Sequence, residues 1–225
     1  SCMNFVTLST YPFDRPRHGG QHRLANIAAQ YRAAGHTVES VGVLGSVQYP
    51  ATTGFVACPT PQVLSRYIDN TFLMEDWAIG QWAAHDDDAF QALAEKIPPN
   101  IDMLHVEQPW LFEFARRYIA SQSTNAMRLL YGSENIEYKL KEGIVDSFLG
   151  AEHARECAER VLKCELQAIT GAAVVAAVSP GDVAWICTPT QSPVVLAPNG
   201  VSARKTQQPD FVDANRCTGH RKFAL

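Results

Sequence analysis

The chain has no apolar run approaching the roughly 20 residues that a membrane-spanning helix needs, and it does not open on a charged and then apolar leader. Both absences lead us to expect a soluble, cytoplasmic chain. Charge of one sign is scarce as well: 19 Lys and Arg stand against 23 Asp and Glu, for a net charge of −4, and the basic residues are scattered. Nucleic acid is therefore not expected as a partner, and an anionic membrane is not expected as the main one. Cysteine amounts to six residues, Cys2, Cys58, Cys157, Cys164, Cys187 and Cys217, with no C-x-x-C. Cys157 and Cys164 fall on one predicted helix, where about 10 Å of rise separates them and no disulfide closes. Free, mostly buried thiols are the expectation, rather than a disulfide framework or a metal centre. Two phosphate-binding signatures are missing too. No G-x-G-x-x-G follows the first strand, which disfavours nicotinamide or flavin chemistry, and no G-x-x-x-x-G-K-[ST] occurs anywhere.

What is present is enough apolar residue, 46% of 225, to bury a full core. An apolar strand from Asn4 to Tyr11, a loop ending in Gly19 and Gly20, and an amphipathic helix from Gln21 to Ala34 open the chain. Leu24, Ile27, Ala28 and Tyr31 make that helix's inward stripe, Gly35 ends it, and Thr37 to Leu44 reads as a second strand. Two strands flanking one helix over so short a span imply a right-handed parallel crossover. After a proline-broken stretch, with a short strand near Phe55 and helices over 61–68 and near Trp77, the pattern resumes. Helices are predicted over 89–96, 109–119 and 150–169 and ending near Cys187, with strands over 101–106, 128–132, 172–178 and 194–197. The run Ala172 to Val178 is apolar on both faces, as a central parallel strand is. The predicted fold is α/β, a doubly wound, mainly parallel Rossmann-like sheet. The polar stretch 202–220, followed by Arg221 to Leu225, reads as a linker into a further domain, giving domains of 1–201 and 202–225.

Ligands of such sheets gather beyond the carboxyl ends of the strands. Those ends carry His18, Gly19, Gly20 and Arg23, then Glu107, Gln108 and Trp110, then Ser133, Glu134, Asn135 and Glu137, then Ser179 and Asp182, and finally Asn199 and Gly200. The glycine pair is suited to an anion, because glycine allows close approach and the helix that follows presents free N–H groups. Two glycines also make an ordinary turn. Glu107 is read equally well as a reactive carboxylate or a helix cap, and Ser179, Asn199 and Gly200 as turn or rim residues. His18 and His22 lack a third local ligand, so no metal is expected. Asp86, Asp87 and Asp88 resemble a cation-holding D-x-D but fall where a helix starts, and capping is the preferred reading.

Five ordered segments carry a resemblance: the Gly19-Gly20 loop with Gly35 to Val38, Asp102 to Glu107, Ser133 to Tyr138, Val178 to Asp182, and Val195 to Val201. Together they resemble the N-terminal domain of GT-B glycosyltransferases of the family 4 (group 1) type. The resemblance implies an enzyme of two Rossmann-like domains that moves a sugar from a nucleotide-sugar donor to a sugar or lipid-linked acceptor, a peripheral membrane acceptor included, usually with retention and without a metal or other cofactor. In those terms Gly19 and Gly20 approach the donor diphosphate, Glu107 is the catalytic candidate, and His18, Arg23, His105, Gln108, Glu134, Asn135 and Glu137 face the acceptor. The sequence departs from the family at Glu107, where many members have a second histidine two residues after the first. The family's C-terminal donor domain, with its pair of glutamates, lies outside these residues, so the chain alone is expected to be inactive. The competing expectation is a non-catalytic Rossmann-like module that binds a glycan or partner protein, with nicotinamide redox chemistry a distant third.

Overall fold

A computed structural model describes residues 1–45, 48–123 and 126–199. It contains a seven-stranded sheet: β1 (Asn4–Ser9), β2 (Thr37–Val43), β3 (Phe55–Val56), β4 (Met103–Glu107), β5 (Arg128–Ser133), β6 (Val174–Ala177) and β7 (Val194–Leu196). The strand order is β3-β2-β1-β4-β5-β6-β7, and all six pairings are parallel. The expected doubly wound Rossmann-like sheet is thus the observed one. From β1 the chain winds outward through β2 to β3, then returns to place β4 on the other side of β1. The direction of winding therefore reverses between β1 and β4, which is where such sheets open a crevice.

Helix α1 (Gly19–Ala33) covers one face at that reversal. Phe5, Leu24, Ala28, Tyr31 and Val38 form a small core beneath it. The larger core, on the opposite face, is built from Leu104 and Val106 of β4 and from α3 (Glu75–His85), α4 (Asp87–Ala94), α5 (Phe112–Ser121) and α7 (Ala151–Gly171). Strand residues alternate between faces. Met103 packs with the α1 core, so the same alternation turns His105 and Glu107 towards α1. The remaining helices are α2 (Pro61–Leu64), α6 (Glu137–Leu149) and α8 (Pro180–Ile186). No helix among the described residues is long and apolar enough to cross a membrane.

The differences from the sequence reading have local causes. Gly19 and Gly20 are the first two residues of α1 rather than the loop before it, because His18 caps the helix: its Nδ1 accepts from Gln21 N–H while the Gln21 side chain accepts from His18 N–H. The acidic triplet caps as expected, with Asp86 Oδ1 accepting from Ala89 N–H at 2.9 Å. Ser179 likewise accepts from Asp182 N–H at the start of α8. Cys2, Cys58, Cys157 and Cys164 are free, whereas Cys187 is disulfide-bonded, so the expectation of free thiols fails there; Cys217 lies outside the described residues. The domain boundary expected at 201 and 202 also lies outside them.

Helix α6 was not anticipated. Ile136, the residue just before it, offers no capping side chain, and the cap arrives from α7 instead: Glu165 accepts from the backbone N–H of Glu137 at 2.8 Å and of Tyr138 at 2.5 Å. Glu165 is fully buried. Burial pushes its carboxyl up to about 7, against the pull of those two backbone donors. Replacing Glu165 by alanine leaves one buried and one partly buried N–H group unpaired, and we expect a loss of about 2–3 kcal/mol. Urea unfolding at neutral pH measures this, and an unchanged midpoint would show that α6 does not depend on the remote cap.

Candidate functional site

At the winding reversal a chain of hydrogen bonds joins α1 to β4. Arg23 Nε donates to Glu107 Oε1 at 2.7 Å, and both side chains are excluded from solvent. The other carboxylate oxygen, Oε2, lies 2.6 Å from His105 Nε2, and His105 Nδ1 lies 2.8 Å from the Tyr31 hydroxyl. Burial would raise the Glu107 pKa, but the His105 hydrogen bond and the Arg23 charge together hold it below the ordinary value. Glu107 is therefore an acceptor on both oxygens. The His105 ring bridges the two, with Nε2–H donating to Glu107 and Nδ1 facing the Tyr31 hydroxyl.

Space for this arrangement comes from β5. Gly132 pairs with Glu107, and a Cβ there would lie 2.0 Å from Glu107 Oε2 and 2.7 Å from His105 Nε2. Arg23 also reaches the chain beyond β7, where Nη1 donates to Ala197 O at 2.5 Å and to Asn199 Oδ1 at 3.3 Å. Asn199 thus belongs to the rim through Arg23; Gly200 lies outside the described residues.

A second carboxylate stands nearer the surface. Tyr11, just past β1, donates its hydroxyl to Glu134 Oε2 at 3.0 Å. Glu134 is partly exposed; burial first, and then the charge of Glu107, push its pKa up. Both groups lie over the start of α1. A Cβ on Gly20 would meet Glu134 Oε1 at 2.7 Å and the Tyr11 hydroxyl at 2.9 Å, while one on Gly19 would meet nothing within 4 Å. Gly19 is exposed, and neither glycine N–H has a partner among the described residues. The open helix terminus expected from the sequence is present at Gly19, whereas the close contact at Gly20 is with the protein's own carboxylate.

Other expected site residues lie at the edge of this rim or apart from it. His18, at the edge of the rim with its ring edge-on to Tyr11, turns its Nε2 away towards the Tyr49 hydroxyl at 2.8 Å. Burial, and then His22, push the His18 pKa down, as suits a neutral capping acceptor. Gln108 follows β4 with φ of 61°, a left-handed conformation that a side chain adopts at a cost; its Oε1 accepts from the Trp110 indole at 3.2 Å. Asn135 is exposed and donates to Glu137 Oε1 at 3.3 Å. Glu137 itself is buried at the start of α6, where burial and then the charge of Asp76 push its carboxyl up to about 8. It is thus enclosed rather than presented to a ligand. Three participants were not singled out from sequence: Tyr11, Tyr31 and Gly132. Tyr11 follows a strand end and could have been found by that rule. Tyr31 looked like a member of the apolar stripe, and Gly132 like an ordinary strand residue.

With this geometry in view, comparisons place the chain by fold. No family model matches it, and no curated protein matches it in sequence. Sucrose-phosphate synthase from Thermosynechococcus elongatus is a structural neighbour, with a TM-score of 0.56 at 15% identity over 87% of this chain. The match spans 48% of that protein, so the chain corresponds to about half of its length. At that identity the likeness is one of fold alone: a Rossmann-like α/β domain.

Two measurements check the electrostatics. Glu107→Gln leaves the buried Arg23 charge without its counter-charge, and we expect a loss of about 3–5 kcal/mol in urea unfolding. A cost below about 1 kcal/mol, the range of exposed pairs, would mean the pair is not desolvated. For Glu137 the folded pKa of about 8 exceeds the ordinary 4.5, so between these values the folded carboxyl keeps a proton that the unfolded chain has released. Stability contributed by this group is full below the unfolded value and is lost as pH rises towards 8. Glu137→Gln should flatten that decline. An identical pH dependence of melting temperature in the variant would refute the assignment.

Proposed function

We propose that the chain is the acceptor-side domain of a metal-independent, retaining glycosyltransferase, which works with a donor-binding domain to move a sugar from a nucleotide-sugar to an acceptor. The observation that carries the reading is the pairing, at the winding reversal, of an open helix terminus at Gly19 with a partly exposed carboxyl at Glu134. When the bond from the anomeric carbon to the diphosphate breaks, the bonding pair leaves with the diphosphate. The free N–H groups and positive dipole end of α1 are suited to receive that charge. The acceptor hydroxyl oxygen forms the new bond to the same carbon, and its proton passes to Glu134. A raised pKa favours that transfer, because a base that holds a proton more tightly takes it more readily.

Glu107 takes a different part from the one its strand-end position first suggests. Both its oxygens are engaged and no solvent reaches it, so its work is to hold Arg23 and His105 in place. Arg23 and His105 are likewise positioning residues, and the acceptor contacts fall to Glu134 and the rim about Asn135 and Asn199. Localisation in the cytoplasm, with its supply of nucleotide-sugars, suits this role.

The test uses the full two-domain protein. Gly19→Ala should leave stability within about 1 kcal/mol, because the added methyl group meets nothing, but should lower transfer by at least tenfold by crowding the phosphate approach. Glu134→Gln should lower kcat more than it raises KM and should remove the acidic limb of the pH profile. Unchanged kinetics in both variants would refute the reading.

A further inference from the structure

Beside the rim, a groove of about 1070 Å³ runs along the other side of α1. Its walls are the loop 12–18, the α1 face bearing Gln21, Ala25 and Arg32, and the segment 48–55. Ser40 of β2 and Phe55 of β3 also line it, and the contact between His18 and Tyr49 joins its two walls beside the start of α1. The volume is at the upper end of small-molecule sites, about 300–1,000 Å³, and suits a ligand larger than one sugar ring. Arg15, Arg17 and Arg32 line the groove against the carboxylates of Asp14 and Glu39. None of the three arginines forms an ion pair among the described residues. Arg32 Nη2 donates to Val38 O, at 3.3 Å. The Ser40 hydroxyl oxygen is buried and has no hydrogen-bond partner among the described residues.

Unpaired guanidinium groups, each a planar fork of donors, match phosphate better than any neutral sugar. We propose that this groove binds a phosphate-bearing ligand, with Arg15 and Arg17 holding the phosphate, and that this ligand is the acceptor. The assignment as acceptor rests on the function proposed above; the assignment of the groove to a phosphate does not. The link between groove and rim is short. His18 lines the groove and caps α1 immediately before Gly19, and its ring stacks edge-on against Tyr11, with centroids 5.1 Å apart, the same Tyr11 that holds Glu134. A sugar anchored by its phosphate in the groove can therefore extend past His18 to the rim. A soluble sugar phosphate and a phosphate within a lipid headgroup share this chemistry.

Calorimetric titration of the chain separates the sources, with glucose 6-phosphate, glucose, and phosphatidylcholine vesicles with and without phosphatidylinositol as probes. We expect saturable, salt-sensitive binding of one phosphate probe and none of glucose, with affinity reduced at least tenfold in the Arg15→Ala/Arg17→Ala double variant at unchanged circular dichroism. Binding of glucose 6-phosphate identifies a soluble ligand, and binding only of phosphatidylinositol vesicles identifies a headgroup. No saturable binding of either, or equal binding by the double variant, overturns the proposal. In the full two-domain protein, phosphate binding without any sugar transfer would remove the glycosyltransferase reading and leave the groove assignment standing. Transfer with unchanged acceptor KM in the double variant would remove the groove as the acceptor's anchor and leave the enzyme reading standing.

Discussion

The buried pair of Arg23 and Glu107 is the constraint around which the strand-end rim is arranged. Removing two charges from water is costly, and the cost is offset only when each is fully hydrogen-bonded. Glu107 meets that requirement by accepting from both Arg23 and His105; Arg23 meets it in part, tying α1 to β4 and to the chain leaving β7 through Nε and Nη1 while its Nη2 is buried without a partner among the described residues. Each contact constrains another element. The His105 ring needs Tyr31 on its second nitrogen, which fixes the rotation of α1 over the sheet. The His105 and Glu107 side chains together need the space beside β5, which only a glycine at 132 leaves. One ion pair thereby sets the relative positions of the helix terminus at Gly19 and the strand ends around it.

Two carboxyls near this point are driven in opposite directions by their surroundings. Glu107 has no solvent but has a cation and a ring donor, and its pKa falls; Glu134 has partial solvent, a tyrosine and the negative charge of Glu107, and its pKa rises. Environments that separate the pKa values of neighbouring groups divide labour between them. The ionised Glu107 serves structure and simultaneously makes Glu134 a better proton acceptor. Their coupling means that a change at Glu107 reaches Glu134 even though the two side chains need not touch.

The strands were legible because their information is local. Apolar runs such as Val174–Ala177 and turn residues after them mark strand ends whatever lies elsewhere in the chain. Side-chain roles that depend on distant partners were not. Glu107 reads as a free carboxylate at a strand end until Arg23, 84 residues away, is placed beside it. Helix α6 was overlooked because its cap is Glu165, 28 residues after the first residue it holds. Tyr31 fits the apolar stripe of α1 perfectly well, and nothing in its spacing reveals that its hydroxyl meets a histidine on β4. Where a residue's neighbours in sequence are its neighbours in space, the sequence was enough.

The asymmetry between Gly19 and Gly20 refines what a glycine pair at a helix start can mean. Had both served a ligand's close approach, both would face open space. Instead Gly20 is buried beneath Glu134 and Tyr11, and Gly19 alone is open. Gly20 is needed so that a carboxyl can sit against the terminus of α1, where the helix dipole and unpaired N–H groups favour negative charge. Gly19 leaves the adjoining donors accessible from outside. The pair thus places a carboxyl and exposed, unpaired N–H donors side by side on a single helical turn. For the transfer proposed above, that adjacency is what is required: a phosphate departs from the atom that an oxygen, losing its proton, attacks.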